Sequence, residues 1–169
     1  MTEQDSVIAG SFYAASKLAT EELIRPYAAL MGVDVLRIFT PYGPGQKNML
    51  MANMIESVRE GREITLSGDE GLWLTPIYLD DLCRIIIGLL HQTCEGFQVY
   101  NLGGDERVSL KQVVDQIAGL LGVEARIKHD NSRAVVSVAA DSRKIYDASK
   151  CKPVIDLKSG INFIIHGKQ

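Results

Sequence analysis

Tyr13 and Lys17 stand four residues apart in the stretch Tyr13-Ala-Ala-Ser-Lys17. On a helix that spacing places a phenol and an ammonium on one face. A neighbouring ammonium favours the phenolate and brings a tyrosine toward the range useful for proton transfer. Such a pair suits the interconversion of alcohols and ketones, with the tyrosine taking or giving the hydroxyl proton while a cofactor carries hydride. Random placement of the six tyrosines and nine lysines of this chain yields about 0.3 such pairs. The spacing alone therefore also fits a surface Tyr–Lys contact.

Other reactive side chains form weaker patterns. Asp80 and Asp81 are adjacent, and a helix N-cap explains them better than a metal pair. His91, His129 and His166 stand alone, without ligand spacing. Cys83, Cys94 and Cys151 are odd in number and far apart, which suits neither a disulfide framework nor a zinc site. Gly103 and Gly104 read as a turn, and Trp73 as a packing or substrate-wall residue.

The elements that must hold these groups alternate between helix and strand. The pattern predicts a helix from Ser11 to about Met31, with Ser11 as N-cap, Gly32 as its stop and a weak point at Pro26. A β-branched run, Val33 to Phe39, predicts a strand, and the prolines and glycines of Thr40 to Gln46 a loop. Further helices are expected at about Met49–Arg59, from Asp80 to Leu90, and from the capping box Ser109/Gln112 to Leu121. Strands are expected at Glu63–Leu66, Phe97–Asn101 and Val123–Lys128, and two more helices at 142–149 and 157–165. This alternation argues for an α/β fold with parallel strands.

The 169 residues are one domain's worth of chain, long enough to bury a substantial core. A net charge of −3 and a pI near 5.6 leave no basic footprint for nucleic acid. A mean hydropathy of +0.04 and the lack of a long apolar run argue against a membrane span. No signal-peptide pattern is present, and the unpaired cysteine count fits a reducing, cytoplasmic setting.

Six short motifs occur in order: Thr2-Glu-Gln-Asp5, Tyr13-x-x-x-Lys17, Leu36-Arg37, Tyr42-Gly-Pro-Gly-Gln46, Ile77-Tyr-Leu-Asp-Asp81 and Tyr100-Asn-Leu-Gly-Gly104. From Thr2 to about Leu121 the chain thereby resembles the extended short-chain dehydrogenase/reductase family, the NAD-dependent epimerases and dehydratases that act largely on nucleotide sugars. The resemblance implies the C-terminal part of a Rossmann-type parallel sheet plus the small substrate-binding lobe. It implies NAD or NADP as cofactor, Tyr13 as acid/base, and Lys17 as ligand of the nicotinamide ribose and tuner of the tyrosine. Phe39 and Pro41 would pack beside the nicotinamide. Thr40 and Leu74 would fall in the substrate site. Many family members carry Asn where Thr40 stands and an Arg, gripping a nucleotide phosphate, where Leu74 stands.

The Gly-rich dinucleotide fingerprint occurs nowhere in the chain. The resemblance thus reads residues 1–169 as a single incomplete domain, whose cofactor-binding N-terminal half is a missing partner and whose first strand, Val33 to Phe39, presents a naked edge. It also implies a nucleotide-sugar substrate and a homodimer formed through a bundle that includes the Tyr13 helix. Two other readings stand beside the enzyme: a non-catalytic binding or scaffold chain, and a truncated fragment without function.

Overall fold

The computed structural model describes residues 1–7, 9–132 and 137–167. Its helices are α1 (Phe12–Ile24), α2 (Leu50–Arg59), α3 (Leu79–Leu90), α4 (Leu110–Leu121), α5 (Arg143–Ser149) and α6 (Leu157–His166). Its longer strands are β1 (Val33–Ile38), β3 (Ile64–Ser67), β6 (Phe97–Leu102) and β8 (Ile127–Asp130). Two-residue strands complete it: β2 (Pro41–Tyr42), β4 (Trp73–Leu74), β5 (Ile77–Tyr78), β7 (Val108–Ser109) and β9 (Ser137–Val138).

Ser11 is extended and accepts the Ala14 amide at 3.1 Å, starting α1 as a side-chain cap. The helix does not continue to Met31. Proline has no N–H to return to the preceding turn, and the chain from Arg25 to Ala29 tightens into a 3-10 helix with Pro26 in its first turn. The capping box at Ser109 and Gln112 forms as expected, and α4 ends at Gly122 in the left-handed conformation, φ 67°.

β1 and β6 pair in parallel over six residues, from Val33 opposite Phe97 to Ile38 opposite Leu102. The far edge of β6 is blunted by side chains: the Asn101 amide donates to Glu3 Oε1 at 2.8 Å, and Lys144 Nζ donates to the Val99 carbonyl at 2.7 Å. Among the described residues the other edge of β1 has no strand beside it. Two hydrophobic clusters flank this arrangement. One joins β6 to α3 and α5 through Leu82, Ile85, Tyr100, Leu102, Ile145 and Tyr146. The other fills a second lobe between α2, α4, α6 and β3, centred on Met51, Ile55, Leu66, Val113, Ile117 and Ile161. This is the expected division into the end of a parallel α/β sheet and a smaller lobe.

Two expectations need correction. Thr40 to Gln46 is not all loop: Pro41 and Tyr42 form β2, parallel to β5. Proline is tolerated at the first position of so short an edge strand, where its missing N–H breaks no ladder. Asp80 and Asp81 are not an N-cap either. α3 is capped at Tyr78 without a side-chain bond. Asp81 is buried and accepts the amides of Val154 and Ile155 at 2.9 and 2.8 Å, while Arg84 Nη2 pairs with it at 2.6 Å. It therefore fastens the segment before α6 to α3.

Tyr146 gives the lobe junction a pH signature. Its Oη donates to the Gly103 carbonyl at 2.7 Å, and burial pushes the phenol up to about 12. An unfolded tyrosine titrates near ~10. Above that pH the unfolded chain has lost a proton that the native state still holds, so stability falls as pH rises toward the folded value. Urea midpoints measured from pH 9 to 12 should fall with pH, and fall less steeply in Tyr146→Phe. Equal slopes in the two proteins would remove Tyr146 from this account.

Candidate functional site

Tyr13 and Lys17 share one face of α1, with Lys17 Nζ 5.4 Å from the Tyr13 ring centroid. The face they occupy borders a groove of about 480 Å³ between α1 and β1, also lined by Thr20, Ile24, Val35 and Phe39. Tyr13 is 70% exposed, so its hydroxyl is open to a ligand. No residue of α1 is buried. An ion pair between Glu21 of α1 and Arg37 of β1 ties the helix to the sheet. Arg37 Nε and Nη2 donate to the two carboxylate oxygens at 2.9 and 2.7 Å. The Glu21 hydrogen bonds raise the Arg37 guanidinium further above its ordinary range.

Phe39 to Pro41 leave the C-terminal end of β1 at the same groove. The Phe39 amide donates to the Leu102 carbonyl at 2.8 Å, still in register with β6. The Thr40 carbonyl accepts the Ile77 amide at 3.2 Å, already in register with β5. Thr40 is thus the residue at which the chain passes from one sheet to the next, and it does so with φ 44°. A β-branched residue rarely enters that left-handed region, and the strain is about 1–3 kcal/mol. Asn tolerates it better. Thr40→Asn should therefore raise stability by about 1 kcal/mol, read from urea denaturation. A loss instead would mean that the Thr40 side chain makes a contact outweighing its strain.

Leu74 does not belong to this site. Its side chain is completely buried in the second lobe's core, on the central strand between β7 and β9. The expectation that it faces a substrate phosphate is corrected on that ground: it has no surface to offer. Trp73 beside it is half-buried, and the Arg107 guanidinium stacks 4.7 Å over its ring. Gly103 and Gly104 follow β6 as irregular chain, not the expected turn, and serve close packing. A Cβ on Gly104 would lie 2.0 Å from the Pro76 carbonyl oxygen. Among the described residues no cluster of His, Cys, Asp and Glu could hold a metal ion, and no helix is long and apolar enough to cross a membrane.

The structure therefore brings Tyr13, Lys17 and Phe39 to one groove, with Thr40 and Pro41 following at its end, and sets Leu74 apart. Glu21 and Arg37 were missed as a pair by the sequence reading. Glu21 lies four residues beyond Lys17, a helical spacing that marks it as a neighbour, but only the fold reveals that Arg37 reaches it.

The fold is thus the end of a parallel α/β sheet with a Tyr–Lys helix face beside the C-terminal end of β1. Residues 1–103 match the NAD dependent epimerase/dehydratase family, and the chain belongs to that family. UDP-glucuronate 4-epimerase 6 of Arabidopsis thaliana is 29% identical over 172 residues, covering 89% of this chain and 37% of its own. The dTDP-glucose 4,6-dehydratase of Streptomyces griseus is 31% identical over 175 residues, covering 95% of this chain and 50% of its own. Among solved structures, UDP-glucuronic acid 4-epimerase from Bacillus cereus, in complex with UDP-glucuronic acid and NAD, superposes with a TM-score of 0.85. It is 25% identical, over 99% of this chain and 55% of that one. The chain spans about half the length of the curated relatives it matches.

Proposed function

We propose that this chain supplies the acid–base pair and the substrate lobe of an NAD-dependent epimerase or dehydratase acting on a hydroxyl of a nucleotide sugar. The observation that carries the reading is the shared groove: Tyr13 and Lys17 on one face of α1, beside Phe39 at the end of β1. Tyr13 takes the proton of the sugar hydroxyl as that carbon is oxidised, and in an epimerase returns it when the resulting carbonyl is reduced again. NAD, when bound, would supply the hydride acceptor for that oxidation and, once reduced, the hydride donor for the return step. The Lys17 ammonium stands over the Tyr13 ring and donates hydrogen bonds to the nicotinamide ribose. Phe39 and Pro41 pack beside the nicotinamide, and Thr40 opens the substrate site.

The residues present fit one end of the cofactor. Among the described residues Lys17 makes no ion pair, so its ammonium is available to a ribose diol at the groove's rim. No Gly-rich turn is present for the pyrophosphate. That task falls to a cofactor-binding half docked on the open edge of β1. A homodimer is part of the same reading, with Phe12, Leu23 and Leu30 exposed on and just beyond α1. The three cysteines are unpaired, which supports a cytoplasmic setting.

Calorimetric titration checks the division of labour. The chain alone should bind NAD only weakly, and should reach micromolar affinity once joined by an N-terminal half carrying the Gly-rich turn. Micromolar binding by the chain alone would point to a different cofactor site.

A further inference from the structure

Lys17 and Glu21 stand one helical turn apart, the spacing at which a lysine and a glutamate ordinarily pair. Glu21 instead takes both donors of Arg37, with the glutamate side chain 12% exposed and the arginine 23%. Lys17 is left over the Tyr13 ring. Arg25, one turn further along, is the other cation within reach of Glu21, but it is engaged by Glu22 at 3.0 and 2.8 Å and stacks 4.1 Å over the Phe97 ring. Glu3 adds negative charge on the Arg37 side.

We propose that Arg37 is a positioning residue for the Tyr13–Lys17 pair: by occupying Glu21, it keeps that carboxylate from drawing Lys17 away from Tyr13. A largely buried carboxylate stripped of its partner seeks the nearest mobile cation. The lysine stem is flexible and its ammonium compact, whereas the arginine fork fixes the carboxylate in one orientation. The inference rests on the reading of Tyr13 and Lys17 as the acid–base pair and adds what holds them together.

The 169-residue chain itself carries the test. A cation over an aromatic ring places its methylene protons in the ring's shielding cone. In NMR spectra of lysine-labelled protein, the Lys17 ε-methylene signal, identified by its disappearance in Lys17→Arg, should lie upfield of the other lysines. Arg37→Met should abolish the shift, because Glu21 is freed to take the ammonium. Glu21→Gln should keep it, and Glu21→Gln combined with Arg37→Met should restore it. A mere brace between α1 and β1 would be broken in all three variants, with the shift lost in each, and that result overturns the proposal. So would an unshifted wild-type signal, or a shift that survives in Arg37→Met. Failure of the acid–base reading would appear elsewhere, as undiminished turnover of Tyr13→Phe, since these spectra involve no turnover.

Discussion

Tyr13→Phe should lower kcat by roughly 10²–10⁴-fold in the chain complemented with a cofactor-binding half, the usual cost of losing general acid–base catalysis. The substitution keeps the ring in the groove and removes only the proton carrier. KM for the nucleotide sugar and affinity for NAD should therefore change little, because the phenol is one contact among many. Lys17→Met should act differently. It keeps most of the side-chain length but deletes the ammonium, so NAD affinity should fall along with kcat. Near-full turnover in Tyr13→Phe would reduce the pair to a surface contact.

Leu74→Arg should unfold the second lobe. Many members of the resembled family carry an arginine here that grips a nucleotide phosphate. In the structure Leu74 lies wholly inside the core, on a strand with neighbours on both sides. A guanidinium there is set into an apolar core, which should cost at least about 3 kcal/mol. Leu74→Met, of similar volume, should cost less than about 1.5 kcal/mol. Urea denaturation of the two variants separates these outcomes. An arginine variant of wild-type stability that binds UDP-glucose more tightly would return position 74 to the ligand.

Long elements were legible because their signals are periodic and redundant. β1 and β6, and the helices from α2 to α6, fall within a few residues of their expected ranges, and the caps at Ser11, Ser109 and Gly122 form as read. The two-residue strands β4, β5, β7 and β9 escaped, because alternation needs more than two residues to be visible. Their pairing is set by partners distant in sequence, as when Trp73 and Leu74 lie between Val108–Ser109 and Ser137–Val138. Asp81 misled for a related reason. Two acidic residues at a helix start read as a cap, whereas the amides that hold Asp81 come from residues 154 and 155. At the site, Tyr13 and Lys17 were legible from helical spacing, and Phe39 to Pro41 came from the motif around them. The Thr40 backbone strain and the Arg37–Glu21 pair arise only when β1, β6 and α1 are assembled, and no local pattern encodes them.

The most direct measurement is conversion of nucleotide sugar. The chain is combined with an N-terminal half carrying the Gly-rich strand–turn–helix, supplied with NAD, and followed by NMR on UDP-glucose, UDP-glucuronic acid and dTDP-glucose. The account predicts epimerised or dehydrated product from at least one of them, requiring both polypeptides and lost in Tyr13→Phe. A complex that binds NAD and nucleotide sugar yet converts none of the three would contradict it, and would leave the chain as a binding scaffold.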